Sequence, residues 1–242
     1  IAFIVYWHDQ PWLMGSYALA WIVFTMYSLP PFRLKNRGLA GVLCDAAGAH
    51  LLPTVVAVLI AYQGAGVSPD PVWVLATSVW ALSYGIRGIL WHQLEDLEND
   101  RVAGLKTFAV NHNRAFIKKV ACYFVFPMEL GALLIILWKV DTSLSAILMF
   151  GYLTLSAAKM IMMGMSHPVV VETKGSHSFI LQEFYELFLP IGLIVSSALT
   201  YPIDLILLAV HLVIFPRRIT EIYNQCKWFL FYTFKLISRL IS

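Results

Sequence analysis

The sequence predicts an all-α, polytopic transmembrane helix bundle. Its composition and the lengths of its apolar runs both support that class. Hydrophobic residues occupy 60% of the 242 positions and charged residues only 13%. Soluble domains contain roughly 45–50% apolar and 25% charged residues. The mean hydropathy is +0.74, and the apolar residues fall in runs near the ~20 residues that cross a bilayer core. The 15 Phe, 11 Tyr and 8 Trp are typical of the aromatic belts at membrane interfaces.

The apolar segments are predicted in chain order. The first run, residues 12–30, follows a break at 8–11 and ends at a Pro-Pro pair. The later segments are predicted at 40–62, 71–92, 114–138, 142–164, 178–200 and, as a shorter run between two prolines, 202–215. We therefore expect a transmembrane domain over residues 1–216. The remaining segment, 217–242, interleaves basic and aromatic residues, which predicts an amphipathic helix on the cytoplasmic leaflet.

The distribution of basic residues predicts the orientation. Basic residues concentrate in the loop 33–37 and in the segment 101–119, and alternating spans place both on one side. The positive-inside rule puts that side in the cytoplasm of a multi-pass membrane protein, with the cell membrane as the expected location. The net charge of +3 is small, and no cluster of basic residues indicates nucleic-acid binding. The three widely spaced cysteines favour neither a disulfide framework nor a zinc site.

The segment from His92 to Arg101 is the strongest candidate for chemistry. On a helix, Asp96 and Asp100 lie one turn apart on one face, with His92 one turn further back. Two carboxylates in this arrangement form half of a site for Mg²⁺, which shares its other positions with water and substrate phosphate oxygens. Glu95 and Glu98 point away from this face and are expected to be solvated, with Arg101 as a partner.

Basic residues on the same side would suit a diphosphate. Arg33, Lys35 and Lys106 could neutralise charge on a departing diphosphate. Tyr27, at the end of its helix, is either a belt tyrosine or a donor to phosphate. By themselves, the residues at 33–37 could equally be a topology signal.

The spans also carry residues that could line a cavity. Gly85 shares a helical stripe with the two aspartates and, with His92 and Asp45, is a candidate cavity-lining residue. The alternative for Gly85 is close helix packing, as small residues allow in membranes. Arg87 is expected to be structural, with Asp45 as a possible partner, because a buried Arg in lipid needs a carboxylate or a cavity. Glu129 has no evident partner in the sequence.

The motif WHQLEDLENDRVAGLKTFAV resembles the second aspartate-rich motif of the UbiA superfamily of intramembrane prenyltransferases. That motif ends Asp-x-x-x-Asp-Arg-x-x-Gly-x-x-Thr, which is matched at five positions: Asp96, Asp100, Arg101, Gly104 and Thr107. The segment YSLPPFRLKNRG resembles the superfamily's tyrosine-to-lysine segment, with Tyr27 and Lys35 as the counterparts. Many members have an acid where this chain has Gln93.

The resemblance implies a nine-helix bundle in which two aspartate-rich motifs face each other and hold Mg²⁺ and a prenyl diphosphate. Asp96 and Asp100 would be the catalytic metal ligands, and Lys35, Lys106 and Arg101 would hold the diphosphate. No Asn-Asp-x-x-Asp pattern occurs in residues 1–30, and the chain starts without Met inside an apolar run. We therefore expect the first two to three helices, with the first motif, to lie upstream of this sequence.

The favoured function is Mg²⁺-dependent transfer of a polyprenyl group from its diphosphate to an unidentified acceptor within the lipid bilayer. Within the same superfamily, phosphoribosyl transfer to polyprenyl phosphate and terpene cyclisation are alternatives. A transporter or non-catalytic membrane scaffold is the alternative of another class, with a charge pathway through five residues: Asp45, Arg87, Glu129, Glu183 and Glu186.

Overall fold

The computed structural model describes residues 2–170, 178–214 and 216–241. It is 82% helical, and the described residues contain no strand, only one isolated bridge between Gly38 and Thr107. The helices are, in order, α1 Ala2–Trp7, α2 Pro11–Ser28, α3 Leu39–Ala65, α4 Pro71–Glu95, α5 Leu97–Val102, α6 Phe108–Asn111, α7 Arg114–Val140, α8 Thr142–Met163, α9 Phe184–Ala198, α10 Pro202–Ile214 and α11 Pro216–Ile241. The predicted all-α bundle is confirmed.

Within the residues that the structure describes, four helices are long and apolar enough to cross a membrane: α3, α4, α7 and the Ser143–Met163 part of α8. The prediction for 178–200 was wrong at its start, because the helix begins near Phe184, after Leu181 adopts a left-handed backbone conformation. The helix α11 covers the predicted amphipathic segment. Its position on a leaflet stays a prediction.

Contacts divide the chain into two compact units. One contains α1–α7 together with Val169 and Val170, and the other contains α8–α11. Within the first unit, α4 packs along α7 and α3. The core of that unit lies at one end of α4, where Leu90, Leu94 and Leu97 pack with Phe108 and Ile117. This core lies directly beneath the acidic segment and fixes the backbone on which the candidate site is built.

In the described part of the chain, three helices contain a wide π turn, and each turn precedes a proline. The turns are Ala47–Leu51, Ala121–Val125 and Phe184–Phe188, and Pro53, Pro127 and Pro190 stand two residues beyond their ends. Proline has no N–H to donate and its ring crowds the carbonyl four residues earlier, so the preceding turn widens. In the third case that carbonyl belongs to Glu186, and the His211 ring lies within hydrogen-bonding distance of it, at 3.2 Å.

A buried ion pair joins α4 to α7. Arg87 binds Glu129 through two hydrogen bonds, Nε to Oε2 and Nη2 to Oε1, each 2.7 Å long, and both side chains are 0% exposed. The guanidinium also lies over the rings of Tyr84 and Phe126. The suggested pairing of Arg87 with Asp45 was therefore wrong, and so was the expectation that Glu129 has no partner. Bidentate geometry and full burial indicate a structural role for this pair.

The second unit has its own buried polar cluster. The Lys159 ammonium, whose side chain is 2% exposed, donates to both oxygens of Glu183 at 2.5 and 2.6 Å, and Gln225 donates to Oε1 of Glu183. His167 lies nearby, and burial, reinforced by the charge of Lys159, lowers its pKa below the usual value of 6.5. Glu183 thus balances a buried lysine.

Replacing Arg87 with Met is expected to cost about 3–5 kcal/mol of stability, because the Glu129 carboxylate is left buried without its cation. The measurement is the free energy of unfolding in detergent micelles. The matched control is Arg101→Met, because Arg101 pairs with Glu98 at 2.8 Å but the two side chains are 51% and 74% exposed. Exposed pairs contribute roughly 0–1 kcal/mol. Equal losses for both variants would contradict a structural role for the buried pair.

Candidate active site

The acidic segment begins where α4 ends. Asp96 has φ −85° and ψ 5° and separates α4 from α5, so the expectation of one continuous helix was wrong. The one-turn spacing survives the break, because the Asp96 N–H donates to the His92 carbonyl at 2.9 Å and the Asp100 N–H donates to the Asp96 carbonyl at 2.8 Å. The break leaves Asp96 exposed and Asp100 half-buried. The backbones of His92, Asp96 and Asp100 therefore follow one another at intervals of one turn.

A tight loop holds the Asp100 carboxylate. The Thr107 hydroxyl donates to Oδ2 of Asp100 at 3.1 Å and accepts from the Val110 N–H at the start of α6. The chain reverses between these residues at Gly104, whose φ of +67° favours glycine, and the Leu105 N–H donates to the Asp100 carbonyl at 2.9 Å. Gly104 and Thr107 of the motif thus position the carboxylate of Asp100.

The basic loop contacts the same turn. The Gly38 N–H donates to the Lys106 carbonyl at 3.2 Å, and Gly38 and Thr107 form the isolated parallel bridge. A short 3₁₀ turn, Leu34–Asn36, carries Lys35. This turn lies against α3 at Gly41, where an added Cβ would stand 2.7 Å from the Leu34 carbonyl oxygen. The backbones that carry Lys35 and Lys106 are therefore brought together.

The candidate diphosphate ligands differ in exposure. Lys35 is half-buried, whereas Arg33, Arg101 and Lys106 are exposed. Arg33 adopts a left-handed conformation with φ 38° at the start of the 3₁₀ turn. Arg101 pairs with Glu98, as expected.

A second group of polar side chains lies between α2, α3 and α4. Tyr27 lies within electrostatic range of Asp45 and Asp100, and Asp45 lies within range of His50 and His92. The helices α2 and α3 are also joined by the Cys44 thiol, which donates to the Val23 carbonyl at 3.1 Å. The structure thus places Tyr27, Asp45 and His92 in one group together with Asp100.

Gly85 packs against the neighbouring helix and does not border open space. A Cβ at this position would stand 3.0 Å from Cα of Ala46 and 2.8 Å from Cδ2 of His50. The expectation that Gly85 lines a cavity was therefore wrong, and close helix packing explains this residue. Gln93 has a similar supporting role, because its buried side-chain oxygen accepts the Ala109 N–H at 3.1 Å.

The sequence alone does not place His50 near Asp45. On a regular helix, His50 would point about 140° away from Asp45, and only the π turn Ala47–Leu51 brings the two residues toward one side. The signal that could have indicated this was Pro53, because a proline within a helix marks an irregular turn before it.

An apolar cavity of about 450 Å³ starts one turn from this polar group, between α2 and α3. Its walls include Phe24, three residues before Tyr27, and Gly48, three residues after Asp45. The other principal lining residues are Tyr17, Trp21, Val56 and Ile60. The volume lies in the range of roughly 300–1,000 Å³ that is typical of ligand pockets, and the lining suits a hydrocarbon chain.

The donor set can be tested against Mg²⁺. Within the described residues, no group of three or more His, Cys, Asp or Glu side chains is arranged to hold a metal ion. A Mg²⁺ that shares its coordination with water and substrate phosphate needs only one or two protein carboxylates. Asp96 and Asp100 supply that number, on an exposed rim and next to a basic loop, so the residues present fit this ion.

The chain is similar to a homogentisate phytyltransferase from Synechocystis sp. (strain ATCC 27184 / PCC 6803 / Kazusa). The two are 24% identical over 194 residues, which cover 79% of this chain and 61% of that protein. The chain thus spans less than two thirds of this relative's length. No protein-family model matches the chain, and no solved structure shows significant similarity to it. The similarity supports the resemblance to the UbiA superfamily and to prenyl transfer in general.

Replacing Thr107 with Val is expected to lower stability by about 1 kcal/mol, because it removes the hydroxyl that caps α6. The same change also removes the hydrogen bond to Asp100. Thr107→Ser is the matched control, since it keeps the hydroxyl and should stay near the wild-type unfolding temperature. If the Val and Ser variants unfolded at the same temperature, the cap would not contribute as described.

Proposed function

We propose that this protein is an integral-membrane, Mg²⁺-dependent prenyltransferase that moves a prenyl group from its diphosphate to an acceptor. The single observation that carries the proposal is the hydrogen-bonded turn that holds Asp100 through Thr107 and binds the basic loop through Gly38. A backbone hydrogen bond thereby joins the turn that carries the two aspartates to the loop that carries Lys35. The similarity to a homogentisate phytyltransferase supports the same class of reaction.

In this proposal, Asp96 and Asp100 hold the metal ion. When bound, Mg²⁺ would neutralise charge on the diphosphate and favour its departure. Thr107 keeps the Asp100 carboxylate in one orientation, so that no reorganisation is needed when the substrate binds. The exposure of Asp96 leaves room for phosphate oxygens and water.

The basic residues bind the leaving group. Lys35, Arg33 and Lys106 supply positive charge to the diphosphate oxygens, and a charge-assisted hydrogen bond is roughly twice as strong as a neutral one. Arg101 is a further candidate, although it also pairs with Glu98. Tyr27 would donate a hydrogen bond from its hydroxyl to a phosphate oxygen. These groups act most strongly where charge accumulates as the carbon–oxygen bond breaks.

The apolar cavity would bind the prenyl chain. Because it starts one turn from Tyr27 and Asp45 along the same two helices, a chain in the cavity would have its diphosphate end at the polar group. Burial of the hydrocarbon chain against these apolar walls would stabilise the bound donor.

The first test is the loss of each carboxylate charge. Asp96→Asn or Asp100→Asn is expected to reduce turnover by about 100-fold or more, in line with losses of roughly 10²–10³ when one electrostatic stabiliser is removed. Mg²⁺ should also activate each variant only at higher concentration. Membranes that contain the full-length protein would be assayed with radiolabelled phytyl diphosphate and homogentisate, the pair suggested by the relative's name.

Glu98→Gln is the matched control for this test. Glu98 lies in the same segment, but it is exposed and paired with Arg101, so its variant should keep near wild-type turnover. Wild-type turnover in Asp100→Asn would contradict the proposal and favour a transporter or scaffold. Consumption of phosphoribosyl diphosphate in place of the prenyl donor would indicate the phosphoribosyl reaction, and diphosphate release with a cyclic product would indicate a cyclase.

A further inference from the structure

The π turn in α3 changes which residues share a side of that helix. Between Ala47 and Leu51, the Leu52 N–H donates to the Ala47 carbonyl, five residues back. The wider turn rotates each residue by less than the ~100° of an α-helix. His50 is thereby returned toward the side of Asp45, and the two side chains lie within electrostatic range of each other.

The ring of His50 is held in one place by α4. It meets the Tyr84 ring edge-on, with the centroids 5.6 Å apart and an angle of 86° between the planes. Tyr84 in turn stacks on Trp80. The missing Cβ of Gly85 gives the imidazole its space, because a Cβ there would stand 2.8 Å from Cδ2 of His50. The glycine that was expected to line a cavity therefore makes room for a histidine.

Neither polar group of this pair has its hydrogen-bonding capacity filled. Within the described part of the chain, no hydrogen bond or ion pair is formed by the Asp45 carboxylate or the His50 ring nitrogens, and both side chains are half-buried in a helix that can span the membrane. Ionisable groups at such positions are costly and mark substrate or proton pathways. The charged pairs Arg87–Glu129 and Lys159–Glu183, by contrast, satisfy each other.

A metal ion does not explain this pair. Mg²⁺ takes oxygen ligands, whereas His50 offers a ring nitrogen, and in the described residues no three His, Cys, Asp or Glu side chains converge as a zinc site would need. The proposed Mg²⁺ ligands belong to the acidic segment. A carboxylate close to an imidazole instead favours the cationic form of the ring, which suits a histidine that accepts a proton.

We propose that His50, supported by Asp45, accepts the proton that the acceptor loses when it is prenylated. This assignment rests on the function proposed above. The bond between the prenyl carbon and the diphosphate oxygen breaks, and its electron pair leaves with the diphosphate. The acceptor forms the new bond to the prenyl carbon. The proton displaced from the acceptor passes to the unprotonated ring nitrogen of His50, and the Asp45 carboxylate balances the resulting charge.

The groups that face His50 define what should control its titration. Asp45 lies on its own helix, Tyr84 and His92 lie on α4, and Tyr27 reaches Asp45 from α2. Asp45 is the only acid among them, so its loss should weaken the protonated state of His50. Asp45 acts through the histidine and is therefore a positioning residue.

The test separates departure of the diphosphate from capture by the acceptor. Using phytyl diphosphate and homogentisate, we would measure diphosphate release and prenylated product in the same reaction. His50→Gln is expected to lower product formation by about 10²–10⁴-fold, the usual contribution of a general base. Diphosphate release should continue and yield prenyl alcohol. The acidic limb of the pH profile for transfer should disappear in this variant.

Two further variants protect the test against a folding defect. Asp45→Asn should reduce transfer less than His50→Gln does and should displace the acidic limb to lower pH, because the imidazolium loses its counter-charge. In His50→Ala, added imidazole should restore part of the transfer. His8→Gln, in the exposed turn after α1, is the histidine control and should behave as wild type.

The outcomes distinguish this inference from the proposed function. If wild-type protein neither releases diphosphate nor forms product, the proposed function fails and the role of His50 fails with it. If wild type is active but His50→Gln retains full transfer with its acidic limb, only the role of His50 is overturned. An equal loss of release and transfer in a folded His50→Gln protein would also overturn it, because that pattern belongs to donor binding.

Discussion

The constraint on which this structure depends is that polar groups inside an apolar bundle must find partners within the protein. A bilayer core offers no water to an unpaired carbonyl or charge. The pair Arg87–Glu129 satisfies this rule between α4 and α7, and Lys159 with Glu183 satisfies it within the second unit. The carbonyl of Glu186, which Pro190 leaves without its helical donor, lies within hydrogen-bonding distance of the His211 ring. These cases are structural because each interaction is completed locally.

The exceptions to that rule are therefore informative. In the described residues of the first unit, Asp45 and His50 are polar groups of a spanning helix whose hydrogen-bonding capacity is open to a ligand. Asp96 is open as well, at the exposed end of α4. A transporter pathway would need its charges to form a continuous open series, whereas Arg87, Glu129 and Glu183 are engaged in tight pairs.

Much of the fold and part of the site could be predicted from the sequence. The spans follow from runs of apolar residues, and the spacing of Asp96 and Asp100 follows from the helical repeat, which survives the break through backbone hydrogen bonds. The break itself could not be predicted, because no proline or glycine marks it. The partner of Arg87 could not be predicted either, since Glu129 lies 42 residues away and its direction depends on the π turn before Pro127. On a regular α-helix, Asp45 and His50 would likewise point to different sides. Only the π turn before Pro53 brings them toward the same side.

The order of these features along the helices bears on how a substrate would be oriented. At the rim, the carboxylates and cations are exposed or half-buried, and they can exchange water for phosphate oxygens at little cost. Asp45 and His50 are half-buried on α3, and His50 lies against Gly85 of α4. A polar acceptor is bound there only if it satisfies their hydrogen bonds. The apolar cavity starts at Phe24 and Gly48, along the same two helices. A molecule with a charged head and a hydrocarbon tail would therefore bind in one orientation, with its reacting carbon between the leaving-group site and the proton acceptor.

Since both sites are built on α3 and α4, a change in the packing of these two helices would alter the distance between the donor and the proton acceptor. The fit of Gly85 against His50 then matters for chemistry as well as for stability.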